Sequence, residues 1–471
     1  MFKQLALLLI LIVVALDSPV TAQNTPANAA GQAAPLVPAP AMPPVVPSVD
    51  LVTLVQAVQI GLRDNPQITA ARYSVLSARE NYNSQKSPIN PTVAYAAVNN
   101  TVAPLDFATG FSQGSNYSAY ATIETNGAIT YRTRQAREQY HQAQFDAATT
   151  GLSLQLSVIN AYVGLQVANR ALEVELKVYE NMRQLSELTQ NRFEAGAGSQ
   201  SDATVARIAY QQERQNVIAD VNNVNNARAT LNAQLGHPLE TPIDASEPLE
   251  YKPAPVRALA DLTKQAEQHR PELKSANANL QSLKAVPGLA RSAYFPNVIV
   301  ARDFSSDSSV NVGLSVPLDL GSIRGAVKKA KADVKTQEAQ VELERQNIDL
   351  DVKSSYNNLV AAQDQVATFN AGNGGLLKDS ATLLDQVRQA YVLGAKTILD
   401  VMNAEVTYRA VLSAYYNAVG TYTAAVYTLQ HSIGDLPDPL PPITVVSTVT
   451  TSSAAGSAAG AGAGSKGKST K

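Results

Sequence analysis

The sequence predicts a mixed α and β fold, internally duplicated, in which long coiled-coil helices carry short β-hairpins. Three observations predict it. The chain repeats itself after about 200 residues, two proline-free stretches keep a 3/4 apolar spacing, and two alternating stretches are bounded by turn residues.

The repeat sets the organisation. Asn65-Pro66-Gln67-Ile68 aligns with Arg270-Pro271-Glu272-Leu273 at an offset of 205 residues, and Leu54 then falls on Leu259. At an offset of 194, Ala161-Tyr162 and Leu165 fall on Ser355-Tyr356 and Leu359. At an offset of 198, Gly196 matches Gly394, Asp202 matches Asp400, Tyr210 matches Tyr408 and Gly236 matches Gly434. Order is kept throughout, which describes a duplicated domain rather than a solenoid. The offsets place eleven extra residues between Pro91 and Gly127 in the first half. They place four extra residues in the second half, at Asn370 to Gly375. The expected organisation is a first repeat at 51–245 and a second at 246–434.

Each repeat opens with a helical stretch, at about 51–86 and about 257–290. Alternating stretches follow. Val298 and Val300, then Val310, Val312, Leu314 and Val316, alternate with small or polar residues around a turn at Ser305 to Ser309. Pro91 to Phe107 and Asn116 to Asn126 do the same around Ala108 to Ser115. These are two hairpins, four strands in all. Alternation of this kind suits a membrane barrel or a soluble hairpin. Four strands cannot close a barrel, and an open edge cannot lie in lipid. Strands that span a membrane here must therefore be pooled from several copies, and three copies supply twelve.

Very long helices come next, Ala128 to about Glu194 and Ser322 to about Leu393. Their seams are Leu154, Val158, Ala161, Leu165, Ala168, Leu172 and Ile348, Val352, Ser355, Leu359, Ala362, Val366. This is coiled-coil spacing, and the small Ala and Ser positions allow close approach. At 1.5 Å per residue, such a helix is roughly 100 Å long. A glycine-containing turn leads to a final helix, Ser199 to Leu235 and Thr397 to Ile433. The two shorter helices of a repeat can stack end to end along the long one.

Composition bounds the function. Only 16% of the 471 residues are charged, against roughly 25% in an average domain. The net charge of -2 gives no basic field for nucleic acid. The absence of Cys excludes disulfides, thiolate metal sites and a cysteine nucleophile. Lys3, the apolar run Leu5 to Leu16 and Val20-Thr21-Ala22 read as a signal peptide at 1–22. No later run reaches 18 consecutive apolar residues, so no transmembrane helix is expected. Residues 23–50 form a Pro/Ala-rich linker, and residues 435–471 a low-complexity tail.

With these parts in order and in duplicate, residues 51 to 434 resemble the outer-membrane efflux protein family, the TolC-like outer membrane factors. The paired Asn65-Pro66 and Arg270-Pro271 motifs carry the resemblance, with Ala290 to Pro296 before a strand and Val316 to Gly321 after one. Most specific are the turns Arg192-Phe193-Glu194-Ala195-Gly196 and Ala390-Tyr391-Val392-Leu393-Gly394, each with Asp six residues after the Gly. The resemblance implies a homotrimer, with a coiled-coil α-helical barrel below a transmembrane β-barrel shared among three protomers. It implies residence in the outer membrane of a Gram-negative-type bacterium, reaching into the periplasm. The partners it implies are outer-membrane lipid, a periplasmic adaptor and an inner-membrane pump. The chain would be a passive exit duct for efflux or type I secretion. No catalysis and no cofactor are expected.

The resemblance also places a periplasmic gate at the turns, formed by Asp202, Tyr391, Lys396 and Asp400, with Gly196 and Gly394 making the turns themselves. Lys396 stands where the family often has Arg, which removes bidentate pairing. Asn403 stands where a second acidic ring is frequent, so Asp400 alone would supply three charges to a trimer. Ser199 to Asp202 and Thr397 to Asp400 equally fit capping boxes, and capping alone could explain both acids. Gly462 to Ser469 spells a phosphate-loop pattern, but it lacks the flanking strand and helix. His141, His237, His269 and His431 share no metal-ligand spacing, and four Met are too few for a soft-metal relay. Carboxylates on the long helices are expected on solvated faces. A periplasmic coiled-coil scaffold or adhesin is the rival reading; it has no need of paired hairpins.

Overall fold

The computed structural model describes residues 50–95, 117–255, 257–303, 310–315, 319–369 and 375–435. The signal peptide, linker, tail and phosphate-loop-like run lie outside these residues, as do the hairpin turns and the four-residue insertion.

The first half runs β1 (Asp50–Val52), α1 (Leu54–Asp64), α2 (Pro66–Ser84), β2 (Ile89–Tyr95), β3 (Tyr117–Ile123), α3 (Ala128–Glu194) and α4 (Gln200–Leu235). It closes with β4 (Ile243–Ala245), and the second runs α5 (Leu259–His269), α6 (Pro271–Ser292), β5 (Asn297–Asp303), β6 (Val310–Ser315), α7 (Leu320–Phe369), α8 (Gly375–Val392) and α9 (Ile398–Ser432). The order of helices and hairpin strands recurs, and β1 and β4, at the two ends of the first half, pair in parallel.

The opening helical stretches are not continuous. Each breaks at its Xaa-Pro pair, because proline offers no amide hydrogen and forces the preceding residue out of the helical region. Asn65 sits at φ -67°, ψ 130° and Arg270 at φ -58°, ψ 122°, each ending one helix and starting the next. Both residues then tie the break to the far end of the same half. The Asn65 side-chain amide donates to the Gln234 carbonyl at 2.8 Å, and the Arg270 guanidinium donates to the Ser432 carbonyl at 3.3 Å. Gly236 and Gly434, both at positive φ, lie directly against these junctions. The paired motifs thus fasten the end of the last helix to the kink in the first.

The seams pack as the 3/4 spacing predicts. Leu154, Val158 and Leu165 are buried with Val58, Leu62, Leu231 and Leu235, flanked by half-buried Ala161, Ala168 and Leu172. Ile348, Val352, Leu359, Ala362 and Val366 are buried with Val419, Tyr422 and Leu429. Full burial of such side chains contributes roughly 1.5–3 kcal/mol each. Each half anchors a buried tyrosine to its strand or loop. Tyr162 donates to the Val52 carbonyl at 3.0 Å, and the Tyr422 hydroxyl accepts from the Ala254 amide at 2.8 Å. Across the halves α3 and α9 approach at Gly420, where a Cβ would lie 2.4 Å from a Val167 methyl. The region expected as one helix from Ser322 to Leu393 is described as α7 and α8 on either side of residues 370–374. By length and composition α3 does contain an apolar window long enough to cross a membrane. Half of that window is buried inside the protein, as a core helix requires.

The four hairpin strands form one antiparallel sheet in the order β2-β3-β5-β6. Register sets Ile123 opposite Val298 and Ala121 opposite Val300, and these oppose Leu314 and Val312. These six positions make an apolar patch on one face, where Arg302 opposes Val310 at one end, while Thr122, Ile299 and Ser315 belong to the other. Val310, Val312 and Leu314 are 62–71% exposed.

Candidate functional site

The turns that close the two helix pairs are built alike. After α3, the Ala197 amide bonds the Arg192 carbonyl at 2.8 Å and the Gly196 amide bonds the Phe193 carbonyl at 3.0 Å. After α8, Ala395 bonds Ala390 at 2.8 Å and Gly394 bonds Tyr391 at 3.0 Å. Gly196 (φ 72°) and Gly394 (φ 79°) take the left-handed conformation this motif needs.

The two acids differ. Thr397 and Asp400 form a complete capping box, in which the Asp400 carboxylate accepts from the Thr397 amide and hydroxyl, each at 2.9 Å. These bonds, with the nearby Lys396 ammonium, hold Asp400 below the usual carboxylate range. Asp400 therefore caps α9. At the first turn Ser199 caps α4 by accepting from the Asp202 amide at 3.1 Å. The Asp202 side chain is half-buried, close enough to Tyr391 for its charge to help raise the phenol pKa.

Tyr391 is buried where all four helices of the tip meet. Its neighbours in that cluster are Val178, Met182 and Leu185 of α3, Ala206 and Ala209 of α4, and Ile398 and Val401 of α9. Burial is the main reason its phenol pKa is raised, and Arg192 opposes the rise. The Arg192 guanidinium lies 5.3 Å from the Tyr391 ring centre and donates to the Tyr391 carbonyl at 3.2 Å. Lys396 is exposed on its turn beside Asp400. The predicted residues thus fall into two groups, Tyr391 with Asp202 and Lys396 with Asp400. Arg192 joins the first group. It stood in the quoted turn motif without a role, because a contact across 199 residues of chain has no local signature.

The expectation that the long-helix carboxylates are solvated fails at Glu175 of α3, and two acids of the shorter helices are buried beside it. Glu175 (α3), Glu213 (α4) and Glu405 (α9) are 6%, 9% and 1% exposed. Arg409 of α9 donates to Glu213 at 2.8 Å and to Glu175 at 3.3 Å. Arg388 of α8 donates to Glu405, which also accepts from Asn181 of α3 at 3.4 Å. Asn216 donates to Glu213 at 2.9 Å. Burial, then the hydrogen bond and charge of Glu213, push Glu175 up to about 7. Burial also pushes Glu213 upward, but its bonds to Glu175, Asn216 and Arg409 outweigh this and hold it low. The two carboxylates thus behave as a pair sharing one proton. Burial raises Glu405 against the pull of Arg388. Among the described residues, no group of three or more His, Asp or Glu side chains could hold a metal ion.

The family profile described as Outer membrane efflux protein matches residues 57–237 and 262–435, one match in each half. Protein CyaE of Bordetella pertussis is 27% identical over 367 residues, covering 72% of this chain and 75% of CyaE. Outer membrane protein TolC of Escherichia coli is 23% identical over 422 residues, covering 81% and 82%. The Campylobacter jejuni CmeC outer membrane channel superposes with a TM-score of 0.68 at 14% identity, covering 85% of this chain and 96% of that one. With the profile matched along most of its length and in duplicate, the chain belongs to the outer membrane efflux protein family.

Proposed function

We propose that three copies of this chain assemble into an outer-membrane channel, the exit duct of a tripartite efflux or type I secretion system. One observation carries the reading. The β2-β3-β5-β6 sheet joins the exposed apolar Val310, Val312 and Leu314 of β6 to two outer strands that each pair on one side only, at the end of long coiled-coil helices. Such side chains favour lipid over water, and such edges are satisfied only by neighbouring copies. Twelve pooled strands would form the barrel. The helices would continue as a periplasmic tunnel that meets an adaptor and an inner-membrane pump, which supplies the energy. The mature chain would follow a signal peptide at 1–22 and comprise the repeats 51–245 and 246–434.

The tip turns act as the gate in this reading. Tyr391, held by Arg192 beside Asp202, keeps the α8/α9 pair against the α3/α4 pair, and Asp400 with Lys396 lines the constriction. The test is single-channel recording in planar bilayers with Tyr391→Phe and Lys396→Ala combined. Conductance is expected to rise because the phenol hydroxyl and the ammonium are lost while the ring's packing is kept. Unchanged conductance removes the Tyr391 hydroxyl and the Lys396 ammonium from the gate. A mature protein that stays soluble and monomeric without detergent sinks the duct reading as a whole.

A further inference from the structure

We propose that Glu175, Glu213, Glu405, Arg388 and Arg409 form a proton-dependent lock above the tip turns, holding the α8/α9 pair on the α3/α4 pair. The proposal rests on the duct reading and deepens it, by adding to the gate a layer that the turns do not contain.

The geometry is that of a lock. Every bond from Arg409 crosses from α9 to α3 or α4. Glu405 of α9 is gripped from α3 by Asn181 and from α8 by Arg388. One cluster therefore touches all four helices that must part if the tip opens. It sits directly beyond the apolar layer of Val178, Met182 and Tyr391.

The charge count makes the lock depend on a proton. Three buried carboxylates face two guanidiniums, so the cluster is neutral only when it holds one proton. Around it stand Tyr179 of α3 and Tyr210 of α4, whose hydroxyls bond each other at 2.8 Å, with Arg183 of α3 and Arg214 of α4 near enough for their charges to oppose the rise in the Tyr179 pKa. Lys177 of α3 is exposed, with its ammonium 5.9 Å from the Tyr408 ring of α9. When the proton leaves, a buried net charge remains, and separating the helices to admit water relieves it. Solvent has a route in. A cleft of about 400 Å³ is lined by Glu213, Glu405 and Arg409 together with Met182 and Met402. The raised affinity of Glu175 for its proton agrees with this count and puts the transition near neutral pH.

The test records open probability of the full chain in planar bilayers between pH 6 and pH 8, for the wild type and for Glu175→Gln. The amide keeps the hydrogen-bonding shape of the protonated acid but cannot lose a proton. Wild-type open probability is expected to rise about tenfold, because the deprotonated fraction of a group with its midpoint near 7 rises from about one-tenth at pH 6 to about nine-tenths at pH 8. Glu175→Gln is expected to stay at the low-pH value throughout. Wild-type channels with a flat profile, or a Glu175→Gln profile that rises like the wild type, overturn the lock and leave the duct reading standing. A chain that forms no channel at any pH overturns the duct reading and the lock together.

Discussion

Replacing Arg409 with Met is expected to destabilise the folded chain by about 3–5 kcal/mol, the usual result of removing one partner from a buried ionic cluster. Arg409 is the group that bonds both Glu175 and Glu213, and both carboxylates are almost wholly buried. Without it, the pair keeps a negative charge that has no adjacent cation. The loss should be larger at pH 8 than at pH 6, because the shared proton is still bound at the lower pH. The readout is chemical denaturation of the detergent-solubilised protein followed by circular dichroism. Replacing Arg409 and Glu213 together with Met and Leu should recover most of the loss, since the remaining Glu175 can hold its proton in an apolar setting. Equal losses in the single and double variants would show that the arginine acts through packing alone.

The same pair sets a pH dependence in the wild type. Glu175 releases its proton near 4.5 in the unfolded chain and near 7 in the folded one. Between these values the folded state binds more protons, so stability from this group falls as pH rises across that window. Glu213 acts in the opposite sense at lower pH. Its depressed pKa contributes stability that is present above the unfolded value and is lost as pH falls through the folded one.

Gly236→Ala is expected to cost about 2–4 kcal/mol, combining a left-handed backbone penalty of about 1–2 kcal/mol with a steric clash. At φ 78° the new Cβ would stand 2.8 Å from the Asp64 carbonyl oxygen and 3.0 Å from the Asn65 Cα. These are backbone atoms of the α1–α2 junction, so no rotamer change can relieve them. Asn65 would also be pushed from the Gln234 carbonyl it holds at 2.8 Å. Gly394→Ala is the control, with a similar φ of 79° and nothing within 4 Å of the added carbon. It should show the backbone penalty alone, about 1–2 kcal/mol. Thermal melts of the two variants under matched conditions check the difference. Equal shifts would mean that the junction yields to the methyl group.

Much of the fold was legible in the chain because its signals are local or periodic. Ala128 to Glu194 shows no proline and an unbroken seam, and the helix has those limits. Thr397 to Asp400 spells its own capping box, and the box forms. The two hairpins follow from alternation, and the sheet contains all four strands. The opening helical stretches were read as continuous because their apolar periodicity runs through the Xaa-Pro pairs. Proline at a first helical position ends one helix and starts another without disturbing that period.

The sequence by itself determined the duplication, the long coiled-coil helices, the turn glycines and the family, since each is written in spacing or in residues within one turn of one another. Only the tertiary structure decided which carboxylates are buried, and that Tyr391 meets Arg192 and Asp202 while Lys396 stays with Asp400. Glu175, Glu213 and Glu405 look like any other acids along a polar helix face. Helix packing removes them from water, and Arg409 then reaches Glu175 and Glu213 across 234 and 196 residues of chain. A contact that joins one side chain on each of two helices leaves no period in either, so it appears only when the helices pack.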